Sequence, residues 1–381
     1  MQAFLYFEND LFIKAKSFGS PGTKVGEIVF NTSLSGYQEI ITDPSYAGQF
    51  VLFTMPEIGI VGANEQDCES DFACEGILIS QYNDNFSNFR AQNSLSHFLK
   101  KRGIFGICGL NTRFLTKMVR DFGTMHVVIS TEISSKDELK NILHKQKGLK
   151  TLDLINKTST KESKPHNQGI FDFSQMGYLK NQNQNESIKI IAIDCGIKQN
   201  ILNELYSAGF EIELLPFDFD PKELLSRYEN GDFKGLFLSN GPGDPLDLDI
   251  LIEKIKFLLP YKIPTFGICL GHQILSIAHG FNTHKLKFGH HGGNHPVKNL
   301  LTGEVEITAQ NHNFAVPEDI ATVANITHRD LFDNTIEGVE YKNAPFFSVQ
   351  YHPESSPGPK EASFIFQKFA DLINQIKQTK S

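Results

Sequence analysis

The stretch "IKIIAIDCGIKQNILNELYSAGFEIELLP", residues 188–216, decides the fold. It opens on a mainly apolar run of strand length, then sets Ile197, Ile201, Leu202 and Leu205 at helical spacing and places a helix stop at Gly209. A second strand, "EIELLP", follows at once. The pattern then recurs: "PKELLSRYEN" reads as a helix opened by Pro221, "KGLFLSN" as a strand, "LDILIEKIKFLLP" as a helix and "IPTFGI" as a further strand. Strands alternating with helices in this way predict a doubly wound, mostly parallel sheet covered on both faces. Beyond it, "EVEITA", "TVANITH", "TIEGVEY" and "PFFSVQ" read as strands, and a last helix is expected from about 360 to about 377.

Upstream the regime changes. Residues 1–152 hold short strand-like runs such as "GEIVFNTS" and "GQFVLFTMP", punctuated by Gly and Pro, and helical patterns such as "NSLSHFLKKRG", which predict a separate N-terminal α/β domain. Residues 153–187 are rich in Lys, Ser, Thr, Asn and Gln with little periodicity, so they are expected to be a linker, leaving 188–381 as the second domain.

With 381 residues, the chain is long enough for two domains that each bury a core. A formal net charge of −8 argues against sequence-independent nucleic-acid binding, which needs clustered Lys and Arg. The N-terminus lacks the basic, apolar and cleavage regions of a signal peptide, and no run of eighteen apolar residues occurs, so a soluble cytoplasmic protein with no membrane partner is expected. Five cysteines without C-x-x-C pairing suit reduced thiols, and Cys68, Cys74, Cys108 and Cys195 read as small buried residues.

The fifth, Cys269, is placed differently. In "PTFGICLGHQILSIAHG" (264–280) it stands between two glycines where a strand meets a helix. "GICLG" is the thiol counterpart of the G-x-S-x-G elbow, a tight turn that lifts a nucleophile clear and needs small neighbours. The helix that opens there turns its free amides towards the sulfur. In open α/β sheets the ligand crevice lies beyond the carboxyl ends of the strands, which is where Cys269 falls. A proton carrier is offered by "SVQYHPESSPG": His352 follows a strand-like run, Glu354 stands two residues on, and Pro353 between them rules out a helix. Cys, His and Glu would then form a nucleophile, base and orienter. The same spacing also suits a surface ion pair after an edge strand, and spacing leaves both readings open. "LFLSNGPGDP" (236–245) runs a strand into Gly-Pro-Gly, whose amides, with that of Leu270, suit an oxyanion, although an ordinary turn fits the same residues.

Together "NGPGDP", "FGICLGHQ" and "HPE" resemble the triad, or class I, glutamine amidotransferases, in that order and approximate spacing. "KFGHHGGNHPV" (287–297), "TAQNHNFAV" (308–316) and "GEIVFNTSLSGYQEIITDPSYAGQ" (26–49) extend the resemblance over nearly the whole chain, to the family of small, glutamine-hydrolysing chains of carbamoyl-phosphate synthase. The resemblance implies Cys269 as nucleophile, His352 as base and acid, Glu354 as its orienter, and amides of Gly241 and Leu270 for the oxyanion. It also implies Ser45, Gly243, Gln273, Asn311, Asn313 and Phe314 around L-glutamine. It further implies a large partner chain that uses ATP and Mg to turn the released ammonia into carbamoyl phosphate for arginine and pyrimidine synthesis, with no cofactor in this chain. Where the family usually shows Gly, this chain has Asn313; a positive φ there would suit Asn best among non-glycine residues.

The histidine-rich stretch holding His284, His290, His291 and His295 invites a metal reading, but it lacks a nearby Cys and an H-x-x-x-H helix pair, so no metal is expected. His272 and His312 are expected to be structural, since one proton-transferring histidine suffices.

Overall fold

In the computed structural model, which describes residues 1–145, 150–180 and 187–380, the apolar runs of the N-terminal region do not stack as an open sheet. Among the described residues, β1 (Gln2–Phe7), β2 (Phe12–Ser17), β3 (Thr23–Asn31), β4 (Gln49–Phe53), β6 (Gly76–Leu78), β8 (Phe105–Cys108) and β9 (Met125–Ser130) close into a barrel in the order β1-β2-β8-β6-β4-β3-β9. A small parallel pair, β5 (Glu57–Ile58) and β7 (Gln81–Tyr82), lies outside it. Strand alternation sets the packing. Leu5, Phe7, Ile28, Phe50, Leu52, Leu78, Phe105, Ile107, Val127 and Ile129, drawn from six of the seven barrel strands, form one cluster. The opposite set, including Val29, Val51 and Ile77, packs on helices α1 (Tyr37–Thr42) and α2 (Leu95–Lys101). Gly76 is fixed by this closure, since a Cβ there would lie 2.5 Å from that of Phe105. Helices α3 (Thr112–Phe122) and α4 (Lys136–Lys145) complete the region.

The second region is the doubly wound sheet that residues 188–216 predict. Strands β13 (Ile188–Asp194), β14 (Phe210–Pro216), β15 (Gly235–Leu238), β16 (Thr265–Ile268) and β21 (Phe346–Val349) are parallel in the order β14-β13-β15-β16-β21. The antiparallel strands β20 (Ile336–Tyr341), β19 (Ala324–Asp330), β17 (His284–Asn299) and β18 (Val305–Ala315) extend it past β21. On β13, Ile190 and Ala192 face helices α6 (Gln199–Ser207) and α10 (Phe364–Lys380), while Ile191 and Ile193 face α7 (Pro221–Glu229), α8 (Asp249–Leu258) and α9 (Leu270–Ala278). The helix stop at Gly209 is real, with φ 94°. No helix among the described residues is long and apolar enough to cross a membrane.

The polar stretch expected to be a linker carries structure. Thr151, Leu154, Ile155 and Thr158 are buried along α5 (Thr151–Thr158), an i, i+3, i+4, i+7 stripe within a polar composition. β10 (Lys164–His166) pairs antiparallel with β14, and β11 (Phe171–Asp172) pairs with β12 (Gly177–Tyr178); residues 181–186 lie outside the described residues. By contact the chain divides into Met1–Lys150 with Leu286–Gly292, and Thr151–Lys285 with Gly293–Ser381. The first unit is therefore discontinuous in sequence: Thr32 N donates to the His291 carbonyl (3.1 Å) and Thr124 N to that of Lys287 (3.1 Å).

Candidate active site

A thiol works as a nucleophile when it is lifted off the chain, faces a proton acceptor and has donors for the charge it creates. Cys269 caps α9 directly after β16, with φ 52° and ψ −102°. A non-glycine residue held at such angles costs roughly 1–3 kcal/mol and persists only where its surroundings impose it. Those surroundings are visible: Cys269 N donates to the Val349 carbonyl (2.9 Å) and its own carbonyl accepts from Gln273 N (3.1 Å). Both flanking glycines are sterically required, because a Cβ on Gly271 would fall 2.2 Å from the Leu238 oxygen and one on Gly267 would fall 2.8 Å from Gly271.

His352 follows β21 and is held by its amide, which donates to the Ala309 carbonyl at 2.8 Å. Its Nδ1 pairs with Glu354 Oε1 at 2.9 Å, and both side chains are buried, so the surface-ion-pair reading of this spacing does not hold. The Nε2 atom has no hydrogen bond of good geometry among the described residues, yet the Cys269 thiol lies close enough to act on the ring as a weak hydrogen-bond partner. Burial alone would push the imidazole pKa down; the Glu354 charge, aided by Cys269, overrides it and raises the pKa to about 10. Burial likewise favours a neutral Glu354, but the Lys198 ammonium and His352 hold its carboxyl down at about 2. The buried pair is thus an imidazolium and a carboxylate.

Gly241 packs closely beside the elbow: a Cβ there would fall 2.3 Å from the Cys195 oxygen and 2.8 Å from Leu270 Cδ2. Gly243 has a plainer reason to be glycine, a φ of 95° and Thr151 Cγ2 only 2.3 Å from a would-be Cβ. The Cys269 thiol donates to the Asn311 carbonyl at 3.6 Å, while Gln273 Nε2 donates to the Phe314 carbonyl and to Gln350 Oε1, each at 3.0 Å. Asn311 therefore meets the thiol through its carbonyl, and Gln273, one turn along α9, is tied to the Phe314 backbone. Asn313 lies within the extended β18 and is not among the residues of positive φ, so the condition under which Asn would best replace a usual glycine does not apply there. Ser45 lies in the first unit, in a 3-10 turn (Pro44–Tyr46) capped by the Asp43 carboxylate, which accepts from Ser45 N at 2.9 Å.

His272 is buried and bonded through Nδ1 to Ser348 Oγ at 2.8 Å, with burial pushing its pKa down to about 3, so it stays neutral and structural. Sequence reasoning overlooked Lys198 and Gln350. A lysine placed between a buried strand and an amphipathic helix was the available signal for Lys198; nothing local marks Gln350.

Residues 191–372 match the family described as glutamine amidotransferase class-I, and residues 5–129 match carbamoyl-phosphate synthase small chain, CPSase domain. The chain is 58% identical to the carbamoyl phosphate synthase small chain of Helicobacter hepaticus, over 97% of this chain and 98% of that protein. It is 56% identical to the Helicobacter pylori small chain, over 98% and 99%, and 52% identical to that of Campylobacter jejuni, over 98% and 100%.

Proposed function

The chain belongs to the carbamoyl phosphate synthase small-chain family and is its glutamine-amidotransferase component, and from that premise we propose that Cys269, His352 and Glu354 hydrolyse L-glutamine through a thioester. The observation that carries this reading is the strained elbow of Cys269 beside a buried, carboxylate-held imidazole. His352, whose raised pKa favours the protonated ring, holds the proton given up by the thiol, and the sulfur attacks the γ-carboxamide carbon of glutamine. The carbonyl oxygen becomes an oxyanion, received by the amides of Gly241 and Leu270, where a lost donor typically costs about 100- to 1,000-fold. As the C–N bond breaks, His352 returns its proton to the leaving nitrogen, which departs as ammonia. Water, deprotonated by the same imidazole, then opens the γ-glutamyl thioester, releasing glutamate and restoring the thiol.

Asn311, Asn313, Phe314, Gln273 and Gly243 are the residues we assign to holding glutamine. Every step uses this chain's own groups. Ammonia released into water is soon protonated and loses its nucleophilicity, so a synthetic use requires a protected route. We assign that route to a large partner chain, which with ATP and Mg would make carbamoyl phosphate for arginine and pyrimidine synthesis in the cytoplasm. The test is glutamate release by the full chain and by Cys269→Ser, each with and without a carbamoyl-phosphate synthase large chain. Weak hydrolysis that rises with the partner and is lost in the variant is expected; hydrolysis that persists without the thiol would sink the reading.

A further inference from the structure

Two threonines of α5 are buried, and a hydroxyl taken from water is costly unless it finds a partner. Thr158 finds one at home, since its Oγ1 donates to the Leu154 carbonyl (3.1 Å) one turn back in the same helix. Thr151 reaches much further. Its Oγ1 donates to Asp247 Oδ2 at 2.8 Å and accepts from Asp244 N at 2.9 Å, partners 96 and 93 residues away in sequence. Both the donor and an acceptor site of that hydroxyl are thus spent on the loop that follows β15.

That loop carries the Gly241 amide. Asp244 caps the 3-10 turn Pro245–Asp247, its carboxylate accepting from Leu246 N at 3.0 Å, so the one hydroxyl grips both ends of a single turn. Gly243, just before it, runs against the Thr151 methyl so closely that only glycine fits. The other end of the loop is reached from the same helix. Thr160, just past α5, donates its amide to Asp194 Oδ2 at 2.7 Å. Thr158 Oγ1 and Pro242 Cδ bracket Gly196, 2.8 and 3.1 Å from where its Cβ would stand. Between these contacts Ile155 is fully buried in the cluster that also holds Cys195, Leu238 and Leu270. Helix α5 therefore backs the loop from Pro242 to Asp247. An oxyanion donor works only within about 2.7–3.1 Å of the oxygen it receives, so a loop that drifts by less than an ångström loses it.

We propose that Thr151 is a positioning residue of the glutaminase site: its hydroxyl clasps the Asp244–Asp247 turn and thereby holds the Gly241 amide where the oxyanion forms. The inference rests on the hydrolytic reading above. Thr151 acts through the loop rather than on the reacting atoms. Without the hydroxyl, Asp244 N is left buried and unsatisfied, and the turn moves to recover a partner. A helix hidden in a polar, linker-like composition then sets the rate of the step that builds negative charge.

The test is steady-state glutamine hydrolysis by the full chain with a carbamoyl-phosphate synthase large chain, for the parent, Thr151→Val, Thr151→Ala and Thr151→Ser. The rate at which iodoacetamide alkylates Cys269 is measured beside it. Alkylation joins sulfur to carbon as iodide leaves and the thiol proton stays on His352, so it uses the thiol and the imidazole but builds no oxyanion. For Val and Ala, kcat should fall about 10- to 100-fold with KM within about fivefold, while alkylation stays within about twofold of the parent. Ser, which keeps the hydroxyl, should recover at least about fivefold of the lost kcat. If Val does not fold, Ala and Ser give the same contrast. A parent-like kcat in Ala, equal losses in Ala and Ser, or alkylation that falls in step with hydrolysis would overturn the proposal. Cys269→Ser in the same series separates the two readings: full activity without the thiol defeats the hydrolytic mechanism itself, whereas a dead Cys269→Ser with a parent-like Thr151→Ala defeats only the role of Thr151.

Discussion

Two thiols end two strands of one sheet, and only one of them has the surroundings of a nucleophile. Cys195 follows β13 and Cys269 follows β16; each is 3% exposed and each is next to a glycine or one residue from it. At Cys195 burial, joined by the Asp194 charge, pushes the thiol far above its ordinary value, and its amide is spent on Ser239 Oγ at 2.9 Å. At Cys269 the backbone is turned to positive φ and a buried imidazole faces the sulfur. Burial and strand-end position are shared, so they confer no reactivity. The turn and the proton acceptor do.

The comparison breaks first at the thiols. Cys269→Ser should lower glutamine hydrolysis by more than about 1,000-fold, whereas Cys195→Ala should stay within about fivefold, read as glutamate release. Iodoacetamide should likewise label Cys269 and spare Cys195 by peptide mass; equal labelling would show that the two ends are chemically alike. Next, His352→Asn should cost about 100- to 10,000-fold in kcat, and Glu354→Gln less, since it removes the orienter and leaves the acceptor.

The glycines sharpen the contrast in stability. Gly271→Ala drives a Cβ into the Leu238 carbonyl, a backbone neighbour that cannot swing aside, so a loss of about 2–3 kcal/mol is expected in chemical denaturation. Gly209→Ala meets open space at φ 94° and should cost only about 1 kcal/mol. The last contrast concerns pH. The folded pKa of His352 is raised from 6.5 to about 10, so its contribution to stability is full below pH 6.5 and is lost as pH rises through about 10. Glu354, lowered from 4.5 to about 2, contributes fully above pH 4.5 and loses that as pH falls through about 2. The melting temperatures of the parent and His352→Gln should therefore converge between neutrality and about pH 10; a constant gap would show that the imidazolium pair is not the source.

Much of the sheet was legible because its strands are buried on both faces and its helices carry apolar stripes, as in Ile201, Leu202 and Leu205 of α6. The elbow was legible for a related reason: steric demand at Gly267 and Gly271 leaves a mark in the local sequence. Closure of the N-terminal strands was not, because barrel and open sheet share the same two-residue alternation and differ only in which strands meet, here β1 with both β2 and β9. Helix α5 was hidden because two of its four buried positions are threonines, Thr151 and Thr158. Lys198 escaped for the opposite reason: its partner lies 156 residues away, and a lysine looks solvated until that partner is known.

The return of residues 286–292 to the first unit has a consequence in time. A ribosome making this chain finishes Lys150 long before it reaches Leu286, and at typical elongation rates the interval is on the order of ten seconds. Throughout that wait the amides of Thr32 and Thr124 lack the carbonyls they meet in the finished protein. The N-terminal unit cannot be completed in the order in which it is synthesised. Its last contacts come only after five of the ten strands of the amidotransferase sheet have been made, so a nascent barrel and a nascent sheet mature together rather than in succession.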